Sequence, residues 1–196
     1  MLRRQFRREG KAGAHKPKQD ESVLHHIVVT GGSLEEWQNL DVQQWLDRLG
    51  ILARAVKASG AGFITVYPHE VGARATRPVV LPEEVRNNLM IDGVVVIADP
   101  QCDGRERLCS VLGEWDASQQ ITELSLDAAL FGTAGEPDLV IVFGPPDRLP
   151  RSLMWELAYS EIVFVSSAWA DVCPSDIETA ISEFGSRQRR FGGVDP

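Results

Sequence analysis

At 196 residues and 21.6 kDa, with 43% hydrophobic and 24% charged side chains, the chain carries enough apolar material for one ordinary core and too little for two full domains. Seventeen glycines, 11 prolines and three cysteines exclude collagen, low-complexity and disulfide-scaffold classes, and no apolar run approaches the roughly 18 residues of a membrane span. The net charge of −8 is unevenly spread: residues 1–20 hold seven basic and two acidic side chains, the other 176 hold 13 basic and 26 acidic.

The body should therefore repel nucleic acid and anionic lipid, while the basic arm, residues 1–23, complements both. Gly10, Gly13, Pro17 and few apolar residues suit a solvated, disordered arm. Peripheral contact with a membrane or a partner is the other reading, and nucleic acid is not an expected partner. No basic region precedes a hydrophobic stretch, so a secretory signal is not expected and the chain reads as cytoplasmic. Cys102, Cys109 and Cys173 form no C-x-x-C pair, and His15, His25, His26 and His69 are not spaced to complete a metal site.

Order is expected from Leu24, with residues 24–193 as a single domain. His25–Thr30 is a short apolar run stopped by Gly31-Gly32-Ser33, which predicts a buried strand. Val42, Trp45, Leu46, Leu49, Leu52, Ala53 and Val56 then follow helical spacing, with Asp41 as cap. Phe63–Pro68 predicts a second strand, residues 69–79 a loop, and Pro82-Glu83-Glu84 the start of a short helix. Gly93–Ala98 is a third strand, continuously apolar as strands covered on both faces are.

Residues 105–115 and Leu124–Phe131 have helical patterns, and Asp138–Phe143 is a fourth strand closed by Gly144-Pro145-Pro146. Leu153–Tyr159 predicts a helix, Ile162–Val165 a fifth strand, and residues 175–189 a last helix with Ile177, Ala180, Ile181 and Phe184 on one face. This alternation predicts an α/β fold, a mostly parallel central sheet of about five or six strands flanked by helices, with right-handed crossovers.

Residue chemistry alone leaves alternatives open. Gly31-Gly32-Ser33 after a strand fits an anion cradle or a tight turn equally well, and lacks the further residues of a P-loop or dinucleotide fingerprint. Glu35-Glu36 reads as a solvated helix start. Arg187, Arg189 and Arg190 complement the negative end of the last helix, and Glu183 pairs with Arg187 at i, i+4. A guanidinium fork beside the Phe191-Gly192-Gly193 backbone also suits a diphosphate.

The segments DLVI (138–141), LMWELAYSEIVF (153–164) and RQRRFGG (187–193) resemble the C-terminal part of the cis-prenyltransferases, the undecaprenyl diphosphate synthase family. Weaker likeness covers His26–Trp37 and Ile97–Arg105. The resemblance implies a doubly wound sheet, a dimer, and elongation of an allylic diphosphate by isopentenyl diphosphate at a metal-bound carboxylate. Aligned from His26, Gly32 stands at the family's carboxylate and Glu36 at its arginine. Val142 and Pro150 replace an arginine and a serine; Arg148 and Glu161 are retained, but one retained carboxylate does not make a magnesium site. The segment that would wall a chain-length tunnel is shortened around residues 69–91.

These losses, with Phe143-Gly144-Pro145 and Asp147, are similar to the non-catalytic Nogo-B receptor type of accessory subunit. The resemblance implies a heterodimer in which Arg190, Phe191 and Gly192 reach the diphosphate site of a catalytic partner. No cofactor is expected on this chain, magnesium is expected in the partner, and isopentenyl diphosphate would be shared at the interface. Trp155, Tyr159 and Phe164 are the interface candidates, with core packing as the alternative for each. A divergent stand-alone homodimer and a non-enzymatic scaffold are the other readings.

Overall fold

The computed structural model describes residues 24–70 and 79–187. Strand β1, His26–Thr30, is buried along its whole length and lies at the centre of a six-stranded sheet. It pairs in parallel with β2, Phe63–Tyr67, on one side and with β5, Leu139–Phe143, on the other. Beyond β2 lie β4, Val94–Ala98, in parallel, and β3, Leu89–Ile91, antiparallel to it. β6, Glu161–Val165, extends β5 in parallel, giving the order β3-β4-β2-β1-β5-β6. The expected mostly parallel α/β sheet is therefore present. β3 is additional to the five expected strands; Asp92 (φ 53°) and Gly93 (φ 89°) turn it tightly into β4.

Alternation along the strands divides the interior. Ile27, Val29, Ile64, Val66, Leu139 and Ile141 belong to the larger core. There they meet α2 (Val42–Ala58), α6 (Pro174–Ser186) and the short α3 (Glu83–Arg86). Trp37, from α1 (Leu34–Asn39), meets Trp45 of α2 edge to face at 4.8 Å within this core. Val28, Val140 and Val142 face the other way and meet Tyr67 and Leu153. That thinner layer is completed by α4 (Gly104–Gly113), α5 (Glu123–Phe131) and the chain from 144 to 160.

His26 explains why a polar residue opens the central strand. Its Nδ1–H donates to the Gly135 carbonyl at 2.8 Å, and Nε2 accepts from the Thr65 hydroxyl at 2.9 Å. Burial holds its pKa below the usual histidine value, so the neutral ring locks β1 to β2 and to the turn before β5.

Two expected helices are shorter than their patterns. Leu153–Tyr159 is not an α-helix; only Glu156–Ala158 forms a single 3₁₀ turn. The Glu156 carboxylate folds back to accept from the Met154 N–H at 3.1 Å and, buried, pairs with Arg107, which diverts the backbone from a regular turn. The last helix ends at Ser186 rather than near 189. Arg187 is already extended, and its guanidinium donates to the Ile162 carbonyl at 2.7 Å on β6. Among the described residues, no helix is long and apolar enough to cross a membrane. The expected arm, residues 1–23, and part of the expected loop, 71–78, lie outside the described residues.

Candidate functional site

Open α/β sheets bind ligands beyond the carboxyl ends of their strands, where the strand order reverses. Here that point lies between β1 and β5. A cavity of 620 Å³ opens there, lined among others by Gly32, Glu36, His69, Gly144, Phe164 and Trp169. The turn and anion-cradle readings of Gly31-Gly32-Ser33 are separated by what its backbone groups touch. The Gly31 N–H donates to the Tyr67 carbonyl at 3.0 Å, and the Gly31 and Gly32 carbonyls accept from Trp37 Nε1 (2.8 Å) and the His69 N–H (2.7 Å).

At the start of α1 the anion positions are filled from within. The Ser33 N–H donates to Glu36 Oε2 at 2.7 Å, in a reciprocal capping box, and the Leu34 N–H donates to Glu70 Oε1 at 2.7 Å. Two of the chain's own carboxylates thus occupy donors that a phosphate would need. Glu36 is a capping residue with a defined structural task, and its charge opposes a diphosphate in this cavity.

Gly32 has φ +73°, and a Cβ on either Gly31 or Gly32 would overlap the Trp169 indole. The glycine pair therefore seats Trp169, whose ring also carries the Arg48 guanidinium at 5.7 Å and meets Phe143 at 5.8 Å. Restoring a carboxylate by Gly32→Asp should consequently fail as a gain-of-function change. We expect no metal-dependent product formation and a loss of stability of at least about 1–2 kcal/mol from the left-handed backbone alone, read in urea or thermal unfolding. Wild-type stability or new activity in that variant would contradict this account of the turn.

The remaining positions are dispersed. Val142 is buried in β5 on the side of the thinner layer, Pro150 is buried, and Arg148 is exposed in the loop after β5. Glu161 begins β6, at the opposite end of the sheet from Gly32, a separation of roughly 17 Å for five-residue strands. Its Oε2 accepts from Arg187 Nη1 at 3.2 Å, and Arg187 also pairs with Glu183, as the i, i+4 spacing predicted. No three His, Cys, Asp or Glu side chains converge to hold a metal among the described residues. The described residues do not fit a magnesium site within one chain.

The interface candidates also separate. Trp155 and Tyr159 line a second groove, 550 Å³, at the lower end of the sheet with Ile121, Leu126, Glu136 and Met154. Trp155 Nε1 donates to Asp127 Oδ1 at 2.7 Å, and Tyr159 is 73% exposed. Phe164 instead lines the upper cavity and packs on the thinner core, so it does not share a surface with the other two. Arg190, Phe191 and Gly192, with Arg189 and Gly193, lie outside the described residues.

A buried polar network had no sequence signal. Arg107 on α4 ion-pairs with Glu156 and donates to the Tyr67 hydroxyl, bringing together residues 40 and 49 positions apart. Burial pushes the Tyr67 phenol and the Asp99 carboxyl up. Burial works against the charge on Arg107, but Tyr67 and Glu156 beside it keep it protonated. Arg151 pairs with Asp103, the cap of α4, and joins the same corner.

Residues 98–192 match the family model described as putative undecaprenyl diphosphate synthase. An isoprenyl transferase of Brucella abortus is 37% identical over 94 residues, 47% of this chain and 35% of that protein. A ditrans,polycis-undecaprenyl-diphosphate synthase of Lactiplantibacillus plantarum is 33% identical over 105 residues, 54% of this chain and 38% of that protein. The matched part therefore spans only about a third of the length of these curated relatives.

The fold is shared more widely. A probable undecaprenyl diphosphate synthase of Campylobacter jejuni superposes with TM-score 0.58 at 16% identity, over 87% of this chain and 99% of that one. Lavandulyl diphosphate synthase of Lavandula x intermedia gives 0.57 at 15%, over 89% and 100%. Residues 98–192 are thus similar to isoprenyl transferases and undecaprenyl diphosphate synthases, and the two solved structures share the fold of the chain.

Proposed function

We propose that the chain is a non-catalytic accessory subunit of a heteromeric cis-prenyltransferase, completing the diphosphate site of a catalytic partner with Arg190, Phe191 and Gly192. The observation that carries this reading is the state of its own upper cavity. Where a diphosphate and its metal would need donors and a carboxylate, Glu36 and Glu70 cap the Ser33 and Leu34 N–H groups, and Trp169 fills the space beside Gly32. An incoming polyanion would meet negative charge and occupied donors.

Arg187, the last residue described before that segment, is anchored on Glu161 and Ile162, at the end of the sheet opposite the chain's own cavity. In the partner, magnesium would draw on the leaving diphosphate, while Arg190 and the Gly192 N–H hold the isopentenyl diphosphate shared at the interface. Trp155 and Tyr159 would lie on the contact surface.

The test is reconstitution. Purified chain should form no polyprenyl diphosphate alone and should raise isopentenyl diphosphate incorporation when mixed with a catalytic homologue from its own organism. Product formation by the pure chain, or indifference of every such homologue to its addition, would overturn the reading.

A further inference from the structure

In an accessory subunit the upper cavity has no diphosphate to hold, yet it remains open. Its 620 Å³ falls inside the roughly 300–1,000 Å³ of small-molecule pockets, and it lies where open α/β sheets hold their ligands. Phe143, Pro145, Pro146, Phe164, Ala168 and Trp169 give it an apolar wall. Of these, Pro145, Pro146 and Ala168 are exposed and Phe164 is half-buried.

The polar groups of the lining are largely committed within the chain. The His69 N–H donates to the Gly32 carbonyl at 2.7 Å, the Gly144 N–H to the Val165 carbonyl at 3.2 Å, and the Ser167 hydroxyl to Asp176 Oδ1 at 2.8 Å. With the Ser33 N–H on Glu36, little is left to hold an anion. Of the described residues that line the cavity, only Glu36 and His69 can carry charge. Burial lowers the His69 pKa below its usual value, so the ring is neutral at pH 7. A cation fares no better. The Arg48 guanidinium already stands over the Trp169 ring at 5.7 Å and is drawn to Glu36 and Asp171, so indole and carboxylate both face a resident positive charge.

We propose that the upper cavity binds an uncharged, largely apolar small molecule. Hydrocarbon buried against Phe164 and the two prolines supplies the affinity, and the exposed Ser166 in the lining can meet a single hydroxyl. Binding needs only this chain, so it stands or falls separately from the accessory-subunit reading, which is tested by reconstitution with a partner.

The experiment titrates the purified full chain by isothermal calorimetry with three probes that share one hydrocarbon and differ in head group: geraniol, geranylamine and geranyl diphosphate. Geraniol is expected to bind, and the two charged probes to bind at least about tenfold more weakly, because a charged head would give up water without gaining a partner. Ser166→Trp and Ala168→Trp introduce a bulky ring from exposed positions of the lining, and each should weaken geraniol by about tenfold by taking the place of buried hydrocarbon. Two separate positions keep the test valid should one variant fold poorly. Absence of geraniol binding, equal or tighter binding of either charged probe, or geraniol binding unchanged in both variants would each overturn the proposal.

Discussion

Arg190→Ala or Gly192→Ala should lower product formation by the reconstituted complex by about 10²–10³-fold, the usual cost of removing one preorganised donor from a developing charge. The complex itself should stay assembled, because the proposed contact surface is that of Trp155 and Tyr159. The two substitutions remove different things: the first a guanidinium, the second the freedom of an unsubstituted backbone to approach an oxygen closely. Size-exclusion chromatography separates loss of assembly from loss of turnover. Unchanged turnover in an intact complex would leave the trans-donation mechanism without support, and a simple scaffold would then be the better account.

Breaking the buried Arg107–Glu156 pair should have the largest effect on stability. Glu156→Leu alone leaves the Arg107 guanidinium buried beside Tyr67 without its counter-charge, and a loss of about 3–5 kcal/mol is expected. Arg107→Met alone should cost a similar amount for the converse reason. The double variant should recover most of that loss, since two apolar side chains of similar volume can replace the pair. Urea unfolding of the three variants tests this as a double-mutant cycle. Additive losses would mean that the two groups do not act as a unit. Because Glu156 also shapes the 3₁₀ turn beside Trp155, the single variants should show altered exchange at residues 154–159 as well.

The sheet was largely legible because its central strands are buried on both faces and so read as unbroken apolar runs. β1, β2 and β5 needed nothing more, and β4 reads the same way although Val95 and Ile97 on it are only half-buried. β3 is only three residues long with an exposed Met90, too short for a pattern, although the Asp92-Gly93 dipeptide that turns it was present in the sequence. The Leu153–Tyr159 segment misled because its apolar spacing says nothing about Glu156, whose partner is 49 positions away on α4.

At the upper cavity, the alignment singled out Gly32 and Glu36, and both line it. It did not reveal that Glu36 caps α1, that Glu70 joins it, or that the glycines make room for Trp169. Those facts depend on side chains converging from α1, the end of β2 and the turn before α6. Phe164 illustrates the same limit: its place in a strand was legible, but not that it would line the upper cavity, away from Trp155 and Tyr159.

The margins of the sheet have a consequence for how this molecule can meet others. One outermost strand, β3, is cut to three residues, and on the other, β6, Arg187 already occupies the Ile162 carbonyl. Neither offers a long row of open main-chain groups to a foreign strand, which protects the chain against ribbon-like growth into fibrils. Companions must therefore recognise side-chain relief on the helical and loop surfaces, and it is there that selectivity among them would have evolved.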